Sequence, residues 1–202
     1  MLDIMLGISA VVIGYLLGSI PPAYIIARLC KGVDIREVDT GNVGTASTLR
    51  TIGVWQGFVV GFVDVAKGFA AILIAQALGV AMPWMLGAGF AAFLGHNYPL
   101  YIRFKGGQGA ATMIGVFAAL TIFATLAACA VIGLIMFLNR RVILYRIFYC
   151  LLLGGPTLPI FIWIFDHSWV LVIYSLVFIL FMIGKNWRGV KTPLNPRKLK
   201  EE

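Results

Sequence analysis

Residues 95–112 read Gly-His-Asn-Tyr-Pro-Leu-Tyr-Ile-Arg-Phe-Lys-Gly-Gly-Gln-Gly-Ala-Ala-Thr and join two apolar segments. A membrane connection needs only a polar turn, yet this one holds His96, the cations Arg103 and Lys105, and three closely spaced glycines. Glycine tolerates positive φ and leaves backbone N–H groups uncovered. Lys105, Gly106, Gly107, Gln108 and Gly109, with a helix following, could therefore cradle an anion between a positive helix end and a lysine. A flexible turn with a snorkelling lysine fits the same residues.

A second polar stretch, residues 33–50, supplies turn residues in Gly41-Asn42-Val43-Gly44, hydroxyls from Thr45 to Thr48, and the cation Arg50 at the end of a predicted helix. Exposed N–H groups, hydroxyls and a guanidinium suit a phosphate. The stretch is not a Walker A loop, because Gly-x4-Gly-Lys-Ser/Thr is absent and no strand precedes it. An N-capped interfacial helix is the structural alternative. Asp64 and Lys67 lie three apart on one face of an apolar helix, a placement that calls for an ion pair or a polar site. His96, beside Asn97, is either a hydrogen-bonded structural group or a base. His167 is given no role. Two histidines in separate segments and three scattered cysteines, Cys30, Cys129 and Cys150, make no metal site, and no cofactor is expected. With no Gly-x-Ser-x-Gly elbow and no Ser-His-Asp set, any chemistry here must work by holding anions rather than through a dedicated nucleophile.

The elements that must carry these residues are membrane helices. With 61% hydrophobic and 12% charged residues, the chain has more apolar surface than a soluble core of 202 residues could bury. The net charge of +8 is not organised as a basic face interleaved with stacking aromatics, so nucleic acid is not an expected partner; membrane lipid is. Apolar segments are predicted over residues 4–29, 54–80, 82–94, 110–138, 147–165 and 169–184. The first is too long for a signal-peptide core and is expected to remain as a span. Residues 110–138 would extend roughly 43 Å as one helix, against a hydrocarbon core of roughly 30 Å. Folding them back near 118–121, with the N-terminus outside, puts all 16 Lys and Arg residues on the cytoplasmic side. A single span would instead send Arg140, Arg141, Arg146 and the basic tail outside, against the positive-inside bias. The prediction is an all-α integral membrane protein: a seven-helix bundle with a short fourth helix, N-terminus out and C-terminus in. One membrane domain covers residues 1–202, with the bundle in 1–184 and a basic cytoplasmic tail in 185–202. The stretches 31–57, 95–112 and 139–146 then share the cytoplasmic face, where they can form one active site. Met113, Phe117, Phe123 and Phe137 are read as lipid- and helix-facing filler.

Taken together, these stretches resemble the bacterial acyl-phosphate:glycerol-3-phosphate acyltransferase family. The resemblance rests on Tyr15-Leu16-Leu17-Gly18-Ser19-Ile20-Pro21, Asp34-Ile35-Arg36, Gly41-Asn42-Val43-Gly44 with Arg50, Asp64-Val65-Ala66-Lys67-Gly68, and Gly95-His96-Asn97-Tyr98-Pro99 through Phe104-Lys105-Gly106-Gly107. It covers roughly the first 115 residues. The family's first loop usually reads Gly-Ser-Gly-Asn-x-Gly-Ala-Thr-Asn; here Asp39 and Thr40 open it, Thr45-Ala46 inverts Ala-Thr, and Ser47 stands for asparagine. Gln108 takes the place of the lysine in Gly-Gly-Lys-Gly. The Ser-rich third motif has become Val142-Ile143-Leu144-Tyr145-Arg146, and the closing Arg-His-Arg-x-Asn is Lys185-Asn186-Trp187-Arg188-Gly189.

The resemblance implies a bacterial inner-membrane, multi-pass enzyme that moves a fatty acyl group from acyl phosphate to the 1-hydroxyl of glycerol 3-phosphate. In that reading Arg50, Lys67, His96 and Lys105 are catalytic. Arg36, Thr40, Gly41, Asn42, Gly44, Thr45, Gly106, Gly107, Gln108, Thr112 and Arg146 bind substrate, and the acyl chain lies near Phe62 or Phe69. The soluble enzyme that makes acyl phosphate is the implied protein partner. A weakened relative that binds phosphorylated lipid or acyl donor, motivated by Gln108, and a small organic-anion carrier are the alternatives.

Overall fold

The computed structural model describes residues 1–38, 41–138 and 155–191, with side chains as far as Lys185. Thr40, Arg146 and the stretch 139–146 lie outside the described residues. Among those described, the chain is helical with no strand: α1 Leu2–Ser19, α2 Pro22–Lys31, α3 Thr45–Thr51, α4 Val54–Ala77, α5 Met82–Asn97, α6 Ala110–Leu120, α7 Ile122–Leu138, α8 Thr157–Asp166 and α9 Trp169–Lys191. A short 3-10 turn, Leu100–Ile102, follows α5.

Two of these boundaries decide what the site looks like. The run 4–29, expected as one span, is two helices, because Pro21 and Pro22 have no N–H to give the ladder and their rings force Ile20 out of helical geometry. Ile20 sits at φ −59°, ψ 120°. Its carbonyl is released from the helix, and Lys67 Nζ donates to it at 3.0 Å. The break expected near 118–121 falls at Thr121, with φ −153° and ψ 81°. There the Thr121 hydroxyl donates to the carboxylate of Asp166 at the far end of α8. The other ends run longer than the hydropathy suggested. α5 continues past Leu94 and takes His96 and Asn97 into the helix, and α9 continues past Gly184 and takes in Lys185.

Small residues set how closely the helices pack. A Cβ on Gly14 or Gly18 of α1 would fall on the carbonyl oxygens of Ala88 or Ala92 of α5, and one on Gly95 would strike the Tyr15 carbonyl. Gly68 of α4 and Gly115 of α6 stand in the same way against Thr112 and Val65. Such contacts let backbones approach where lipid supplies no hydrophobic drive between helices. A cluster of rings fills the other half of the bundle. Phe93, Phe117 and Phe178 are fully buried, with centroids 4.6 Å apart for Phe93–Phe178 and 5.4 Å for Phe117–Phe178. Met113 is buried beside them, so Met113 and Phe117 are core, while Phe123 and Phe137 face outward as the sequence suggested. Phe62 also faces outward, 74% exposed, which removes it from any interior acyl site. The outward surface carries large apolar side chains, among them Phe58, Leu126, Ile173 and Leu180, and the Leu2–Lys31 pair and α4 are long and apolar enough to cross a membrane.

Candidate functional site

The site begins with a buried group of three ionisable side chains. Asp64 and Lys67 share a face of α4, and the Asp64 carboxylate takes Lys67 Nζ at 2.8 Å and faces His96 Nδ1 at 3.1 Å. All three are buried, with side-chain exposures of 1%, 5% and 7%. The carboxylate can only accept, so His96 Nδ1 carries the proton. Charges this deep persist only when paired and hydrogen-bonded, and Lys67 finds a second acceptor in the Ile20 carbonyl that the Pro-Pro break freed.

The glycine loop rests on the other side of His96. The Gly107 N–H donates to the His96 carbonyl at 3.1 Å. The Gly107 carbonyl accepts from Lys185 Nζ of α9, which also donates to Asn97 O at 2.7 Å and Asn97 Oδ1 at 2.9 Å. Asn97 Nδ2 in turn donates to Phe93 O at 2.8 Å. No side chain fits at Gly107, where a Cβ would strike His96 Nε2 and the Val43 carbonyl. Val43 belongs to the first polar loop, so the two loops meet here, backbone on backbone. Gly109 adopts φ +86° at the start of α6, a left-handed conformation that glycine takes without strain.

The first loop is held from several sides. Gly41, at φ +71°, donates its N–H to Val38 O, and Gly44 starts α3, its carbonyl accepting from both Thr48 N and Thr48 Oγ1 at 3.1 Å. Arg36 forks onto Asp34, with Nε at 2.9 Å and Nη2 at 2.6 Å, and its Nη1 reaches Ile102 O at 3.2 Å. Arg28 approaches the same carboxylate at 3.1 Å, and Tyr24 lies under both guanidinium groups. Arg36, expected to bind substrate, is thus committed to tying the first loop to the turn after α5.

The Arg36 guanidinium, helped by the Arg36 N–H and by Arg28, holds the Asp34 carboxyl well below the usual carboxylate range, against the opposing pull of burial. A carboxylate depressed in the folded state stabilises at every pH above its unfolded value, near 3.9, and loses that contribution as pH falls through the folded value. Asp34→Asn should therefore lower the thermal midpoint by the same amount from pH 5 to pH 8. Its curve should merge with that of the unaltered protein only below about pH 4. A difference that already vanishes at pH 6 would show that Asp34 is not the anchor.

Of the remaining expected residues, Lys105 is exposed at the loop surface, Asn42, Arg50 and Gln108 are half-buried, and Gly106 packs against the carbonyls of His96 and Asn97. Thr45 Oγ1, Ser47 Oγ and Thr112 Oγ1 are buried hydroxyls with no hydrogen-bond partner among the described residues. Orphaned hydroxyls are scarce in folded interiors and mark a place where a ligand or water oxygen is wanted. The structure adds three participants that sequence reasoning did not place in the site: Asp64 as the partner of His96, Asn97, and Lys185. The Asp64–Lys67 spacing marked a helix face, but nothing in the sequence tied that face to His96. Beyond Ala110, between α6, α7, α8 and α9, lies an apolar cavity lined by Met113, Ile114, Phe117, Thr125, Leu158 and Met182.

Comparison with known proteins gives the same picture over nearly the whole chain. The family model described as glycerol-3-phosphate acyltransferase matches residues 8–193. A glycerol-3-phosphate acyltransferase of Geobacter sulfurreducens is 35% identical over 179 residues, covering 89% of each chain. One from Thermosynechococcus vestitus is 36% identical over 198 residues, covering 93% of this chain and 91% of its own. Among solved structures, PlsY, an integral membrane glycerol 3-phosphate acyltransferase, in its glycerol 3-phosphate form superposes with a TM-score of 0.82 at 28% identity, covering 97% of this chain and 99% of that one. Its lysophosphatidic acid form superposes with a TM-score of 0.79. The polar loops that meet at Val43 and Gly107 are set in an all-helical integral membrane fold, and the chain belongs to the glycerol-3-phosphate acyltransferase family.

Proposed function

We propose that the protein transfers a fatty acyl group from acyl phosphate to the 1-hydroxyl of sn-glycerol 3-phosphate, giving 1-acylglycerol 3-phosphate and inorganic phosphate. The observation that carries this reading is the contact of Val43 with Gly107, which sets two glycine-bearing loops of the right chemistry against each other. The acceptor oxygen attacks the acyl carbonyl, the carbonyl–phosphate C–O bond breaks, and phosphate departs. Acyl phosphate brings its own leaving group, so positioning and charge neutralisation suffice.

The first loop from Thr40 to Gly44, with the hydroxyls of Thr45 and Thr112, holds the donor phosphate. Arg50, Lys67 and Lys105 neutralise the acceptor phosphate and the charge that develops on the carbonyl, Gly106 and Gln108 supply backbone N–H groups, and Gly107, its own N–H given to His96, leaves room for the two loops to meet around the substrate. His96 is fixed through Nδ1 to Asp64 and walled by Gly107 at Nε2. That arrangement favours a phosphate oxygen of the substrate as proton acceptor, with His96 holding the loop. Arg36 steadies the first loop against the Ile102 carbonyl, and Arg146 binds substrate. The acyl chain runs into the cavity beside Met113 and Phe117, which starts one residue beyond Gly109 and presents a wall of almost purely apolar atoms.

The same reading places seven spans in a bacterial inner membrane, N-terminus out and C-terminus in, with the loops on the cytoplasmic side as the positive-inside bias requires. Residues 1–202 act as one membrane domain, supplied by the soluble enzyme that makes acyl phosphate. Gln108, standing where relatives of the resembled family carry lysine, supports a second reading in which the protein binds its ligands but turns over slowly. Losing a charged hydrogen bond costs roughly 1.5–3 kcal/mol.

Purified protein given palmitoyl phosphate and glycerol 3-phosphate is expected to release phosphate and form the lyso-lipid. Lys105→Ala should reduce kcat/KM by about tenfold to a hundredfold, the loss of one charged contact. Full activity in Lys105→Ala would remove that lysine from the site. A gain of the same size in Gln108→Lys would favour the slow-turnover reading.

A further inference from the structure

We propose that Lys185 is a positioning residue: by fixing the Gly107–Gln108 peptide plane, it presents the Gln108 N–H to the phosphate of the substrate. The inference rests on the acyl-transfer reading of the site and goes beyond it, since Lys185 belongs to the last helix and to none of the polar loops.

The ammonium of Lys185 has three protons and donates to three oxygens, those of Asn97 O, Asn97 Oδ1 and Gly107 O. Every donor is used on the protein, so this cation does not grip substrate itself. It also stands 4.6 Å above the Tyr98 ring, which limits its swing. Each acceptor belongs to the stretch 95–112. Lys185 is therefore the point at which α9 fastens the glycine loop to the end of α5.

Its grip on the Gly107 carbonyl has a geometric consequence. The peptide unit is planar and trans, with no cis bond among the described residues, so its C=O and N–H point to opposite sides. With the Gly107 oxygen held on Lys185, the Gln108 N–H is turned the other way. No acceptor among the described residues takes it. The preceding Gly107 N–H is already spent on the His96 carbonyl, which fixes the plane from its other neighbour. Glycine at 107 has no side chain to resist a peptide flip. Without the ammonium, nothing described on that side of the plane opposes rotation, and the N–H is lost from the anion site. The Gln108 side chain supplies no cation where a lysine would, so the backbone N–H carries more of the binding here.

The test uses the full chain in detergent. In Lys185→Met, the KM for a phosphate-bearing substrate should rise by about tenfold or more, the loss of one hydrogen bond to a charged group, with kcat changed far less. Lys185→Cys, in a background where Cys30, Cys129 and Cys150 are alanine and which supplies the reference activity, should show the same rise. Aminoethylation of that cysteine rebuilds an ammonium at lysine length and should return most of the lost affinity. A purely structural lysine would move kcat and the unfolding temperature instead, and would not be rescued after folding. If Lys185→Met does not fold, Lys185→Gln, one atom shorter and with two neutral amide donors in place of three charged ones, keeps the site polar, and a rise in KM is required of it as well. Unchanged KM in these variants, or no recovery on aminoethylation, overturns the inference.

A second readout separates this inference from the acyl-transfer reading. The 15N–1H signal of Gln108 should shift on titration with inorganic phosphate, and the midpoint should weaken about tenfold in the Lys185 variant. An unaltered protein that turns over no acyl phosphate would end the acyl-transfer reading while leaving this readout to decide the role of Lys185. A Gln108 signal indifferent to phosphate would end that role.

Discussion

Gly107→Ala should abolish acyl transfer, reducing kcat/KM on the order of 10²-fold or more while the bundle still folds, because a displacement near 1 Å in a positioned site costs about that much. The added methyl would land on His96 Nε2 and on the Val43 carbonyl. Neither can withdraw cheaply. His96 is pinned through Nδ1 to the buried Asp64, and Val43 lies in a loop tied down on both sides by Gly41 and Gly44. The two loops must therefore separate, and with them the groups proposed to hold the two substrates. Gly133→Ala is the matching control, since a Cβ there meets nothing within 4 Å. Initial rates with both substrates, beside thermal unfolding in the same detergent, check the pair. Gly107→Ala with activity near that of Gly133→Ala would mean that the loops do not need this contact.

Lys67→Met should give the largest loss of stability of any single change considered, about 3–5 kcal/mol, because it leaves the Asp64 carboxylate buried with only His96 beside it. It also strips the Ile20 carbonyl of its donor, reopening the break that the two prolines made. The penalty belongs to the orphaned partner more than to the lost attraction. The double variant Asp64→Asn with Lys67→Met should accordingly unfold at a higher temperature than Lys67→Met alone, as neutral groups need no counter-charge. Thermal unfolding in detergent across the three variants measures this coupling. A single variant that melts with the unaltered protein would show that the cluster is solvated rather than buried.

The sequence by itself determined the class of the protein and the chemistry of its site. Composition alone demands a membrane, since so much apolar surface has no other place to go, and the glycines, hydroxyls and cations of two loops already point to phosphate. The Pro-Pro break follows from a local covalent rule, yet the hydropathy of residues 4–29 is unbroken and predicts one span where the structure has two helices. Only the tertiary structure decided which polar groups face one another. Asp64 meets His96 across two helices, Val43 meets Gly107 across two loops, and Lys185 reaches back from α9 to Asn97. These contacts depend on how closely helix backbones approach and on their rotation about their own axes. Those are set by glycine-on-carbonyl packing spread over distant parts of the chain, and no local spacing encodes them.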